Sequence, residues 1–285
     1  MSRRIALMEL HGAVALFGLA GVIGKSMTSG AIVTVLGRSA IAALVLGLGM
    51  AIVGRRLSLP ANDRPGMLWS GALLAAHWLA FFHAISLSSV AIGVVGFATF
   101  PLFVTLIAPL VGGPRLRGID AITALGVLGG LTLIASPSNT AAYGGALALA
   151  VFSGFLFALL TILNRRLVSR QPFLLVAFFQ QAGAAVILLP FALALGAAPQ
   201  AGDFWLIAVL GIICTALAQT LFVKSLANVE AQLASVVTGL EPVYAIALAA
   251  VLIHEVPDML TLLGVGLVLA TVTAATLMAP RATRH

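Results

Sequence analysis

Residues 75–86 read AAHWLAFFHAIS and hold the most chemically capable side chains of the chain. Two histidines here raise the question of a metal or haem site. A tryptophan and two phenylalanines beside them raise that of a pocket for an aromatic ligand. On a helix, His77 and His83 point about 120° apart, so they cannot jointly hold one metal. His77 shares a face with Phe81, and Trp78 shares the adjacent face with Phe82. The segment therefore offers an aromatic wall with one titratable nitrogen. Such a wall can stack on an apolar or aromatic ligand, and its histidine can bond a carboxylate or an amine. Ordinary packing around a satisfied histidine is the competing reading. The medium around the segment bears on the choice.

That medium is lipid. The 285 residues are 61% hydrophobic and 8% charged, where soluble domains carry about 25% charged residues. Mean hydropathy is +1.17. A transmembrane helix takes roughly 20 apolar residues, which leaves room for about ten spans with short loops. The net charge of +7 does not indicate nucleic acid, because the basic residues come in small groups between apolar runs. Cys214 is the one cysteine, so no intrachain disulfide can form. The start, MSRRIALMELHGAVALFGLAGVIG, lacks an A-x-A-like cleavage site and reads as a retained first helix.

The expected spans are 5–24, 31–53, 66–86, 89–111, 119–136, 143–163, 172–195, 203–223, 229–253 and 259–279. With the N-terminus in the cytoplasm, Arg3, Arg4, Arg55, Arg56, Arg64, Arg115, Arg117, Arg165, Arg166, Arg170, Lys224, Arg281 and Arg284 fall on the cytoplasmic side. Lys25 alone falls outside, and Arg38 lies within a span. The positive-inside rule predicts this asymmetry for ten spans with both termini inside.

The chain also reads twice. FFHAISLSSVAIGVVGFATFPLFVTLIAPLV in the first half parallels LFVKSLANVEAQLASVVTGLEPVYAIALAAVL in the second. Ser86-Leu87 align with Ser225-Leu226, Pro101 with Pro242 once two residues are inserted between, and TALG at 123–126 with TLLG at 261–264. Trp69 and Trp205 open the third helix of each half. The halves, 1–138 and 139–285, hold five expected helices each, so the second must be inverted in the membrane. Inverted repeats recur in secondary transporters, with the substrate near the midplane between them.

The second half resembles the EamA-type domain of the drug/metabolite transporter superfamily. The carrying residues are SLANVEAQLASVVTGLEPVYAIALAAVLIHE and the glycine-rich LLGVGLVLATVTAAT. The pair Glu241-Pro242 and Glu255 are typical of that domain. The first half departs from it, with Phe100 where the second has Glu241. The resemblance implies an all-α integral membrane protein of ten helices in two inverted five-helix repeats. It implies a carrier in a bacterial-type inner membrane exporting amino acids and related metabolites. Within the superfamily the chain is most similar to exporters of aromatic amino acids. Other small metabolites or drugs, such as purines, are the alternative cargo.

Polar groups at membrane depth cost on the order of 2.5 kcal/mol or more unless they face protein or water. Arg38 lies roughly 10 Å below the outer surface. It can meet a substrate carboxylate or gate the path; alternatively it snorkels outward or caps carbonyls of a neighbouring helix. Gln180 and Gln181 occupy the matching stretch of the second half. Glu241 is a candidate for substrate contact or proton coupling, and equally for holding a kink at Pro242. Pro101 and Pro242 are expected to bend helices 4 and 9 at matching places. Thr99, Gln219, Thr238 and Tyr244 are uncharged binding candidates beside His77, Trp78, Phe81 and Phe82. Each is also a candidate for a helix–helix bond, as is Asn164. Lys224 and Glu230 are expected at the interface. Glu9 and His11 lie near the inner end of the first helix. Glu255 and Asp258 are expected to serve the start of the last helix.

No G-x-x-x-x-G-K-[ST] run marks a nucleotide site, and no H-E-x-x-H, G-x-S-x-G or zinc spacing marks an enzyme. The expectation is a carrier that is not an enzyme, needs no cofactor or metal, and partners a small-molecule substrate and the bilayer. One chain suffices, although the membrane face could dimerise. A channel or a membrane-embedded enzyme is the reading from another class.

Overall fold

The computed structural model describes residues 3–54, 57–111, 118–134, 137–225 and 237–277. Expectations for Arg55, Arg56, Arg115, Arg117, Glu230, Arg281 and Arg284 lie outside these residues. Among the described residues the backbone forms helices and no strand. They are α1 (Arg3–Ser26), α2 (Gly30–Ile52), α3 (Arg64–Leu87), α4 (Val90–Phe97), α5 (Phe100–Ile107), α6 (Gly118–Ile134), α7 (Pro137–Val168) and α8 (Phe173–Ala194). After them come α9 (Phe204–Gly211), a π-helical segment (Ile212–Leu217), α10 (Ala218–Ser225), α11 (Glu241–Leu252) and α12 (Met259–Leu277).

The helices are apolar outside, and several of their polar groups are buried within. Leu44 and Leu193 are 61% and 72% exposed, while Arg38 is 1% exposed and Gln180 and Gln181 are 0%. Water would reverse that distribution; a bilayer favours it. Seven helical stretches are long and apolar enough to cross a membrane, namely 4–26, 30–52, 61–87, 90–107, 144–168, 173–194 and 201–225. Residues 241–252 and 259–271 are shorter apolar helices. Trp69 and Trp205 face outward near the starts of α3 and α9, as interfacial tryptophans do.

Three expected continuous spans are interrupted. The stretch expected at 89–111 breaks at Ala98–Thr99, and Pro101 becomes the second residue of α5. A proline there has no N–H to return to the preceding turn, and its fixed φ suits a helix start. Pro242 occupies the same position of α11, after a turn at Gly239–Leu240. The stretch expected at 203–223 opens into the π segment, where Thr215 Oγ1 donates to the carbonyl of Leu210 at 2.6 Å.

The packing pairs repeat. α1 lies against α10 and α11, and α7 lies against α3 and against α4 and α5. α2 crosses α8 and α6 crosses α12. α3 touches α8, while α2 touches α9 and the π segment. The main apolar core runs through these crossings and includes Leu74, Phe81, Val94, Phe97 and Phe157.

Matched aspartates tie the connections together. Each closes a short 3-10 turn and precedes a helix, Asp63 before α3 and Asp203 before α9. Asp203 Oδ2 accepts from Thr28 N at 2.9 Å, Thr28 Oγ1 at 3.0 Å and Ser29 N at 2.7 Å, and from Ser29 Oγ. At the other end of α2, Asp63 Oδ2 accepts from Gln171 Nε2 at 2.6 Å. Its Oδ1 lies 3.9 Å from Arg170. These two acids mark equivalent points of the chain more closely than Trp69 and Trp205, which stand at different depths in their helices.

Other ends are held across the bundle. Lys25 donates to the carbonyls of Ile85 and Ser88, supplying acceptors at the end of α3 with a cation. Glu255 does not serve the last helix. Its Oε1 accepts from Val90 N at 2.7 Å, because the first amides of α4 have no partner within their own helix. Asp258 takes the expected role and accepts from Thr261 N at 2.6 Å. Glu9 pairs with Lys224 at 2.6 Å, bracing α1 against α10.

Replacing Asp203 with Ala strands two backbone amides that this carboxylate satisfies. Thermal unfolding in detergent should show a loss of about 2–4 kcal/mol. Asp63→Ala, with fewer bonds to lose, should cost less.

Candidate functional site

The cavity in the middle of the bundle is walled by aromatic rings and holds an arginine and a glutamate. Arg38, Leu74, His77, Trp78, Phe81 and Phe97 line it. Phe17, Ala20, Phe157, Gln219 and Glu241 complete the wall. These residues come from α1, α2, α3, α4, α7, α10 and α11, so both halves of the chain contribute. The free space is about 30 Å³, where ~10–15 Å³ takes one water. The walls must part before a metabolite can enter.

Arg38 is held by three devices. Its Nε donates to Thr215 Oγ1 at 2.9 Å, and an NH2 group donates to the carbonyl of Cys214 at 3.2 Å. Thr215 has already spent its proton on Leu210, so its lone pairs face the guanidinium. The π segment loosens the usual i→i−4 ladder and so leaves carbonyl capacity for a cation. On the other side the guanidinium lies over Trp78, 4.0 Å from the ring centroid, and 5.0 Å from that of Phe82. A cation over an aromatic face gains most where water is excluded. Arg38 therefore neither snorkels nor lies loose.

Glu241 opens α11 from inside the bundle and is 4% exposed. The start of a helix carries positive partial charge and favours a carboxylate. Arg38 and Glu241 thus bring a guanidinium and a carboxyl group to one small cavity. The rings line the same cavity. His77 is packed 4.9 Å from Phe157 and 5.3 Å from Phe97 by centroid. Phe97 meets Phe157 edge to face at 5.1 Å.

The break after α4 positions Phe97, and Gly154 of α7 permits the break. A Cβ at Gly154 would fall 2.8 Å from the Phe97 carbonyl and 3.3 Å from Phe100 N. α1 uses the same device, since a Cβ at Gly18 would fall 2.8 Å from Ala245 N in α11.

Of the residues singled out in the sequence, Arg38, His77, Trp78, Phe81, Gln219 and Glu241 meet in this cavity. Phe82 lies behind Arg38 instead of on the wall. Thr99 Oγ1 donates within its own turn to Gly96 O at 2.7 Å. Thr238 is buried without lining the cavity. Tyr244 shares a 3.0 Å hydrogen bond with His11 in α1. Gln180 Nε2 donates to Asn164, away from the cavity. His83 is exposed and does not join His77. Sequence reasoning missed Phe17, Phe97 and Phe157, which nothing distinguishes among the chain's 15 phenylalanines. It also missed Ser153, a partner of His77.

Gly154→Ala should lower stability by about 1–3 kcal/mol, because backbone has to move to admit the methyl group. Gly12→Ala, with nothing within 4 Å, is the control and should not destabilise. Thermal unfolding followed by tryptophan fluorescence compares them.

Comparison with known proteins agrees with this architecture. The model of the EamA-like transporter family matches residues 144–277. The chain is 25% identical over 272 residues to the "Uncharacterized transporter YxxF" of Bacillus subtilis (strain 168), spanning 93% of this chain and 87% of that protein. A protein of known crystal structure, 20% identical, superposes with a TM-score of 0.71 over 98% of this chain and 100% of that one. At that identity the likeness shows the fold. Residues 144–277 thus match the EamA-like transporter family, within a multi-pass membrane protein.

Proposed function

We propose that this protein is a secondary transporter that moves neutral amino acids, aromatic or otherwise apolar in side chain, out of the cytoplasm. The observation that carries the reading is one small cavity that Arg38 and Glu241 line together with a wall of aromatic rings. A zwitterion matches that pattern. Its carboxylate meets the forked donors of Arg38, its ammonium meets Glu241, and its side chain lies among Phe81, Phe97, Phe157 and Trp78. A purine offers no such pair of opposite charges.

Alternating access is the mechanism of this reading. The chain crosses the membrane ten times as two inverted repeats, 1–138 and 139–285, with both termini inside. The paired contacts support it: α1 on α10 and α11 answers α7 on α3, α4 and α5. The helix breaks before Pro101 and Pro242 are its bending points, set where Gly154 and Gly18 bring helices close. Glu241 holds the ammonium of the substrate in one state and a proton in the other, which couples export to proton entry.

Counterflow in liposomes with labelled Phe, Trp, Thr, Met and purines tests the reading. Saturable exchange of Phe and Trp is expected. Arg38→Lys keeps the charge but loses the fork and the ring stack, and should cut exchange about tenfold or more. His77→Ala combined with Trp78→Ala should impair exchange without loss of membrane insertion. Glu241→Gln should abolish the response to a proton gradient. Flux that never saturates would identify a channel, and no flux of any amino acid would remove the substrate class.

A further inference from the structure

We propose that Ser153 is a positioning residue that fixes His77 as a hydrogen-bond acceptor toward the cavity, selecting amino acids whose side chains carry an N–H or O–H donor. The inference rests on the amino acid reading above and adds a rule for choosing among side chains.

His77 Nδ1 lies 3.1 Å from the carbonyl oxygen of Ser153 and 2.8 Å from its hydroxyl oxygen. A carbonyl oxygen can only accept. If Nδ1 presented a lone pair it would face the carbonyl lone pairs at 3.1 Å, whereas the hydroxyl can donate or accept and so suits either state. Nδ1 therefore carries the proton and donates to Ser153. In neutral imidazole the other nitrogen then has no proton, so Nε2 is an acceptor. The neutral form fits the setting, since His77 is 4% exposed and shares its cavity with the cation of Arg38. Glu241, the acid of that cavity, makes no bond to the ring.

The ring cannot turn to exchange its nitrogens. Phe97 and Phe157 pack at 5.3 and 4.9 Å, and Phe81 at 6.1 Å. A turn would also break both bonds to Ser153. Among the described residues no protein group bonds Nε2, although His77 lines the cavity. An acceptor left open on an apolar wall asks for a donor from the cargo. The indole N–H of tryptophan and the phenol of tyrosine supply one. Phenylalanine and 1-methyltryptophan do not, and binding them leaves Nε2 desolvated and unpaired.

Two measurements on the full chain in lipid test this. The first is ¹⁵N NMR of histidine-labelled protein, with the His77 signals assigned by their loss in His77→Ala. A protonated Nδ1 and bare Nε2 are expected; a protonated Nε2 overturns the proposal. The second is counterflow with two matched pairs, tryptophan against 1-methyltryptophan and tyrosine against phenylalanine. The donor-bearing member of each pair should show a KM about tenfold lower in the wild type. His77→Ala should shrink that ratio towards one, whereas Ser153→Ala and Ser153→Thr, which both keep the carbonyl that fixes Nδ1 as donor, should leave it in place. Equal KM values within both wild-type pairs overturn the proposal while leaving amino acid export in place. Transport of none of the four removes the amino acid reading, and the NMR result then still decides the state of His77.

Discussion

The structure is organised around a cation that lipid would not tolerate. Arg38 is 1% exposed in the middle of an apolar bundle, and an unsatisfied guanidinium there would be prohibitive. Three separate segments answer it. The π segment contributes the Thr215 hydroxyl and the Cys214 carbonyl, α3 contributes the faces of Trp78 and Phe82, and α11 brings Glu241 to the same cavity. The π segment departs from ideal helix geometry and Glu241 from apolar composition. The departures converge on one point, where a charge-bearing ligand has most to gain from them.

The remainder of the bundle holds that centre in place and leaves it able to move. Helix ends are fastened by long-range bonds, Asp203 to Thr28 and Ser29, Asp63 to Gln171, and Glu255 to Val90. The interior is interrupted by turns next to Pro101 and Pro242. Fixed ends and broken middles suit a bundle that rocks about its centre, as the proposed carrier requires. Gly154 and Gly18 let the broken helices approach α7 and α1 until backbone meets backbone. Through that approach Phe97 reaches His77.

How much of this was legible in the chain depends on the range of the interaction. Membrane character followed from 8% charged residues. The bend positions followed from prolines, whose missing N–H acts within one turn. That His77 and Phe81 share a face followed from helical period. Glu255 was misjudged because it is near α12 in sequence, whereas its partner Val90 is 165 positions away. Phe82 was placed on the wall by periodicity, yet the guanidinium of Arg38 takes its face. The π segment has no signature in IICTAL that separates it from an ordinary apolar helix.

By itself the sequence determined the solvent, the helical class and the short list of groups able to do chemistry. Hydropathy and period are properties of neighbours along the chain. Only the tertiary structure decided which of those groups meet. Arg38 and Thr215 are 177 positions apart, and Nδ1 of His77 finds Ser153 across 76. Such partners are chosen by the crossing of helices, and the crossing is set by packing that no single segment contains.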